Sequence, residues 1–100
     1  MLFLLRVEGS SLEPDYVEGD FVLVSKIPFL FRPIRTGDVI VFNHVLYRTM
    51  IKYVERFEPE TGEVYVVGTN PESIDSRSFG PIHQGTVLGK VIWHIRNKRV

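Results

Sequence analysis

Short apolar runs rich in Val, Ile, Phe and Tyr, each closed off within a few residues by Gly, Pro, Asn or Asp, most limit what this chain can become. Branched and aromatic side chains suit a pleated, half-buried surface, and turn residues at such short intervals leave no room for a long helix. The runs predict strands near Leu2–Val7, Asp20–Lys26, Asp38–Asn43, Val45–Phe57, Glu63–Gly68 and Thr86–Ile95. No stretch carries a long helical period. Glu58-Pro59-Glu60-Thr61-Gly62 has the composition of a hairpin turn, and Asn43-His44 that of a second, tighter one. The expected fold is all-β, one small, strongly bent antiparallel sheet closing into a partly open barrel. With 100 residues, 44% of them hydrophobic, the chain can build one modest core, hence a single domain over residues 1–100.

Charge and composition remove several function classes. Twelve basic residues balance twelve acidic ones and are scattered, so no electrostatic footprint for nucleic acid exists, and a protein or peptide partner fits better. Cysteine is absent, which excludes disulfides, thiolate metal sites and cysteine nucleophiles. His44, His83 and His94 lie in different blocks without ligand-like spacing, so they read as structural or solvent-facing, and no metal or cofactor is expected. Met1-Leu2-Phe3-Leu4-Leu5 is cut off by Arg6 and Glu8, far short of a membrane span or a signal sequence, and reads as the first strand. Trp93 and Tyr65 are expected in the core or at an interface. The expected location is cytoplasmic, with one feature that points toward membranes. Ile27-Pro28-Phe29-Leu30-Phe31-Arg32-Pro33-Ile34 holds two prolines, which argue against a central strand, and two phenylalanines and a leucine, which argue against a solvated loop. Either Phe29, Leu30 and Phe31 pack back as a lid on the core, or they form an exposed patch that meets a membrane or a partner.

Two places carry chemistry. Val7-Glu8-Gly9-Ser10-Ser11-Leu12-Glu13-Pro14 puts a pair of serines in a turn bounded by a permissive glycine and a φ-locking proline. A hydroxyl held in that way can act as a nucleophile; the plainer reading is that both serines satisfy backbone groups in a loop. Farther on, strand alternation sets Met50, Lys52 and Val54 on one face, so Lys52 has apolar neighbours. An unperturbed lysine titrates near ~10.4, and burial lowers that by disfavouring the ammonium. A lysine so lowered can serve as the general base for a serine, without histidine or aspartate.

In the order of its motifs the sequence resembles the signal peptidase I-like serine proteases and their relatives, the self-cleaving repressor proteases. The family's V-x-G-x-S-M-x-P is similar to Val7 through Pro14, and its G-D-x-V-L-V to Gly19-Asp20-Phe21-Val22-Leu23-Val24. Thr36-Gly37-Asp38-Val39-Ile40-Val41-Phe42 resembles R-G-D-V-V-V-F, and Ile51-Lys52-Tyr53-Val54 resembles I-K-R-V. The longest match sets Gly68 through Ile82 against G-D-N-x-x-x-S-x-D-S-R-x-F-G-P-V, and Gly89-Lys90-Val91-Ile92 is similar to a closing G-K-V-x strand. The resemblance implies Ser11 as nucleophile and Lys52 as general base of a Ser/Lys dyad, with Ser73 bonded to the lysine nitrogen and Asp75 paired with Arg77. It also implies an oxyanion site of backbone N–H groups in the turn around Gly9, Ser10 and Ser11. The substrate is then a protein bound extended beside Phe3–Glu8 or Arg48–Lys52 and cut near its N-terminus at small residues, as short maturation proteases do.

Three departures qualify this. Leu12 replaces a methionine at similar volume. Tyr53 and Thr69 stand where the family has an arginine and an aspartate expected to pair as ions; both halves are gone together, which strands no charge. A second alignment sets Tyr47-Arg48 on the K-R pair, leaves no base, and describes the alternative function: an inactive binding or regulatory module that keeps the fold.

Overall fold

In the computed structural model, which describes residues 2–97, nearly all regular structure is strand. The strands are β1 (Leu2–Arg6), β2 (Phe21–Ser25), β3 (Val39–His44), β4 (Arg48–Glu58), β5 (Glu63–Val67), β6 (Ile82–His83) and β7 (Val87–Ile95). They form one antiparallel sheet in the order β1-β2-β7-β3-β4-β5-β6. The sheet is bent rather than closed, with β1 and β6 as its edges. Register shifts at Leu23/Val24, Val41/Phe42 and Val54/Arg56 supply the bulges at which strands turn. The helices α1 (Pro28–Phe31) and α2 (Ser76–Phe79) are four residues each, and among the described residues no helix is long and apolar enough to cross a membrane.

The central strand explains its own composition. Val39 and Val41 enter one hydrophobic cluster with Val7, Leu12, Val22, Val24, Ile51 and Val91; Ile40 and Phe42 enter another with Ile34, Val54, Val64, Val66, Ile82 and Val87. A strand buried on both faces must be apolar without interruption, which is why Val39-Ile40-Val41-Phe42 shows no alternation.

Several expectations need correction. The turn placed at Asn43-His44 lies two residues later: β3 continues through His44, and Val45, expected in a strand, joins Leu46 and Tyr47 in the turn. The histidine ring explains the shift, since its Nδ1 accepts the N–H groups of Leu46 (3.0 Å) and Tyr47 (3.3 Å). Strand β6 was not expected; two residues are too short for a sequence pattern. Trp93, expected in the core or at an interface, is not in the core: it is 65% exposed, on the part of β7 beyond its ladder with β3. Tyr65 is half-buried under the Arg56 guanidinium, 3.9 Å from its ring centroid.

The Ile27–Ile34 stretch divides between its two readings. Phe29 and Ile34 pack into the second cluster, and Arg32 grips the buried Asp38 carboxylate with two bonds of 2.9 and 3.0 Å. Leu30 and Phe31 instead point outward, at 76% and 84% exposure.

The contrast in burial sets two expected stabilities. Phe42→Ala, in the doubly buried strand, should lose about 3–5 kcal/mol in urea melts. Leu46→Ser, at the exposed hairpin tip, should stay within about 0.5 kcal/mol of the parent.

Candidate active site

The loop that carries Ser11 is closed at its neck by strand-like bonds: Val7 N–H donates to Asp20 O at 2.8 Å, and Gly19 N–H to Val7 O at 2.9 Å. Gly9 takes φ +78°, a left-handed conformation that glycine adopts without strain, and its N–H donates to Glu18 Oε1 at 2.8 Å. Glu13 N–H reaches Ser10 O at 3.2 Å and Tyr16 N–H reaches Leu12 O at 3.0 Å, so the next residues form two successive turns. Leu12 is driven into the first cluster at 1% exposure and pins the turn to the core. Ser11 is thereby left half-buried at the sheet, whereas Ser10 faces solvent.

Lys52 comes to meet it from β4. It pairs with Ile40 across the ladder, and Met50 and Val54, on its own face, pack into the second cluster. The residue is 4% exposed, and its Nζ lies 2.7 Å from Ser11 Oγ, bridging 41 positions of sequence. Among the described residues no carboxylate forms an ion pair with it. Burial pushes the Lys52 ammonium below the ordinary lysine value, and the Asp75 charge only partly opposes this. Arg48, the residue of the rival alignment, sits exposed at the start of β4 with φ +64°.

Behind Ser11 lies a cradle made by residues 68–77. Asp75, 0% exposed, accepts from Gly68 N–H (2.9 Å), Ser73 Oγ (2.8 Å), Arg77 N–H (3.0 Å) and the Arg77 guanidinium (2.7 and 2.9 Å). Burial alone would raise this carboxyl, but the bonds from Arg77, Gly68 and Ser73 outweigh it and hold it well below the usual carboxylate range. Ser73 Oγ also accepts from Arg77 at 3.2 Å. Among the described residues no hydrogen bond joins Ser73 to Lys52, so its link to the lysine runs through Asp75.

Four contacts escaped the motif reading. The Ser11 carbonyl accepts Thr69 N–H at 2.8 Å and Asn70 N–H at 3.2 Å, and the Tyr53 hydroxyl donates to Asp15 Oδ2 at 2.7 Å. Gly68 packs so closely that a Cβ there would lie 2.6 Å from Ser11 O and 2.5 Å from Ser73 Oγ. Gly68 left a trace in the sequence as a glycine directly after an apolar run, and Thr69 and Tyr53 only as departures from the family's motif. Beside the serine opens a cleft of about 310 Å³ between β1 and β4, walled by Leu5, Arg6 and Thr49 through Lys52.

The histidines lie elsewhere. His94 Nε2 is 2.8 Å from Asp20 Oδ2 and its ring stacks on Tyr16, while His83 Nδ1 accepts Gly85 N–H at 2.9 Å. Among the described residues no group of three such side chains is placed to hold a metal.

A bent antiparallel sheet with a glycine-bounded serine turn over a buried strand lysine is a serine-peptidase type of fold. Residues 1–92 match the Peptidase S24-like family, and the chain belongs to that family. It is 24% identical to signal peptidase I V of Bacillus subtilis (strain 168), a match covering 86% of this chain and 81% of the relative.

The state of the buried lysine has a thermodynamic signature. With a folded pKa below the unfolded ~10.4, the unfolded chain binds more protons between the two values, so stability rises with pH there by up to ~1.4 kcal/mol per unit. Lys52→Met lacks that dependence. Its stability relative to the parent should be greatest below the folded pKa, shrink as pH rises, and stop changing above about 10.4. Denaturant melts from neutral pH to about 11 check this; a pH-independent difference would show a lysine that stays charged when folded.

Proposed function

We propose that the chain is a serine endopeptidase in which Ser11 is the nucleophile and Lys52 the general base. The observation that carries this reading is the 2.7 Å contact between Ser11 Oγ and a lysine nitrogen that is buried and, among the described residues, without a carboxylate partner. A module kept only for binding has no use for such a lysine, since burial of an unpaired ammonium costs stability.

The steps follow from that geometry. Neutral Lys52 accepts the Ser11 proton as Oγ attacks the scissile carbonyl carbon. The oxyanion meets the N–H of Ser11, which among the described residues donates to no protein acceptor; that of Gly9 is occupied by Glu18. Lys52 then returns the proton to the departing amine, leaving an acyl-serine. A water deprotonated by the same nitrogen attacks the acyl carbon, and the nitrogen returns that proton to Ser11 Oγ as the acid leaves. Asp75 and Arg77 hold the residue 68–70 turn against Ser11, and Ser73 is part of that support.

The substrate adds as a strand. Among the described residues β1 pairs only with β2, and Arg48–Lys52 of β4 only with β3, because the β5 ladder begins at Tyr53. Both free edges border the cleft, so an extended peptide can bond to their backbone groups. Cleavage near a protein N-terminus at small residues rests on the family resemblance. The exposed Leu30 and Phe31 support a peripheral membrane contact; Phe29, packed inward, is not part of it.

Cleaved N-termini compared between lysates treated with wild type and with Ser11→Ala test the reaction. Ser11→Ala should abolish cleavage with the fold intact, Ser10→Ala should keep most of it, and chelators should leave the rate unchanged. Equal losses from both serines would overturn the assignment.

Co-sedimentation with anionic liposomes tests the surface. Wild type should bind and Leu30→Ser with Phe31→Ser should not; absence of binding by wild type sinks the membrane contact.

A further inference from the structure

Ser11 is attached to the core through Leu12, but nothing inside its own loop sets how far it stands from β4. The bonds of Glu13 N–H to Ser10 O and of Tyr16 N–H to Leu12 O shape the turn locally. The contacts that fix it against the sheet come from outside. Thr69 donates its N–H to Ser11 O at 2.8 Å, and its Oγ1 lies 2.5 Å from Glu13 O and 3.3 Å from Ser11 O, donating chiefly to the nearer. Tyr53 donates to Asp15 Oδ2 at 2.7 Å.

The two arms reach the loop from different sides. Tyr53 is the next residue after Lys52 on β4, so the two side chains leave opposite faces of the strand. Tyr53 packs against the first cluster, while Lys52 faces Ile40. Thr69 follows Gly68, which the buried Asp75 anchors at 2.9 Å. Residues 11 through 15 are thus held at one end by the residue 68–70 turn and at the other by β4 itself. Burial, followed by the bond to Asp15, raises the Tyr53 phenol, so the hydroxyl keeps its donor proton throughout the neutral range.

We infer that Thr69 and Tyr53 are positioning residues, a two-point clamp on the Ser11 loop that sets the separation of Ser11 Oγ from Lys52 Nζ. The inference rests on the Ser/Lys reading of the site. Neither residue touches the reacting atoms. Both are neutral donors, to carbonyls in one case and a carboxylate in the other, in places where the resemblance expects an ion pair. The exchange is therefore more than a loss of charge on both sides: each new residue bonds the nucleophile loop. The sensitivity is steep, because a misplacement of about 1 Å at a reacting group can cost on the order of 10²-fold in rate.

The test compares Thr69→Val, Tyr53→Phe, their combination and Thr69→Ser, using a peptide that spans a cleavage site found with the wild type. Thr69→Val should lower kcat about tenfold and the combination about 10²-fold, with KM within about twofold. Thr69→Ser, which keeps the hydroxyl, should restore most of the rate. Denaturant melts should show every variant folded under assay conditions, and crystal structures should show Ser11 Oγ and Lys52 Nζ moved out of hydrogen-bond reach in the combined variant. An unchanged separation with unchanged kcat overturns the clamp, as does a Thr69→Ser variant no faster than Thr69→Val. Should Ser11→Ala cleave as well as wild type, the dyad reading fails, and the separation in the variant structures still decides the clamp.

Discussion

The site depends first on the antiparallel ladder between β3 and β4. Lys52 stands opposite Ile40 and reaches Ser11 Oγ from that face, while its neighbours Ile51 and Tyr53 pair with Val41 and Val39 on the other, where Leu12 of the loop packs. Side chains alternate with a period of two, so a slip of one residue would turn the lysine away and bring an apolar or phenolic group in its place. The doubly buried run of β3 prevents the slip. Its Val39 and Val41 cannot exchange places with Ile40 and Phe42 without emptying both clusters at once.

Two ionisable groups inside this small domain are handled in opposite ways. Asp75 is buried and keeps its charge, because five donor contacts from Gly68, Ser73 and Arg77 replace water. Lys52 is buried beside a single hydroxyl, and burial lowers its pKa from the ordinary lysine value. The satisfied carboxylate makes a rigid support of the residue 68–77 segment. On the proposed reading, Lys52, without that supply, serves as the base. The distinction is one of hydrogen-bond supply, since both side chains are removed from solvent to a similar degree.

The surface follows the same economy in part. Leu30 and Phe31 stand out while Phe29, Ile34 and the Arg32–Asp38 pair hold their segment down, so the proline-rich stretch is both a lid and an exposed patch. Periodicity could not divide it, because a four-residue helix carries too little pattern to show which side chains turn inward. The hairpin tip at Val45-Leu46-Tyr47 was misread for a related cause. Its residues are apolar like those of a strand, and only the His44 ring, bonded to two backbone N–H groups, reveals a turn.

Local chemistry in the sequence determined the β class, most strand positions, the Gly9 to Pro14 turn and the apolar face around Lys52, because each depends on residues a few positions apart. The motif order extended this to the pairing of Asp75 with Arg77, which are also close in sequence. The motif order also implied Ser11 and Lys52 as partners, but only the tertiary structure decided how closely Lys52 Nζ approaches Ser11 Oγ and that Thr69 and Tyr53 bond the serine loop. The reason is physical: those contacts join segments roughly 40 to 60 positions apart, and their distances are set by strand register, bulges and close backbone packing at Gly68, none of which is written in any one stretch of the chain.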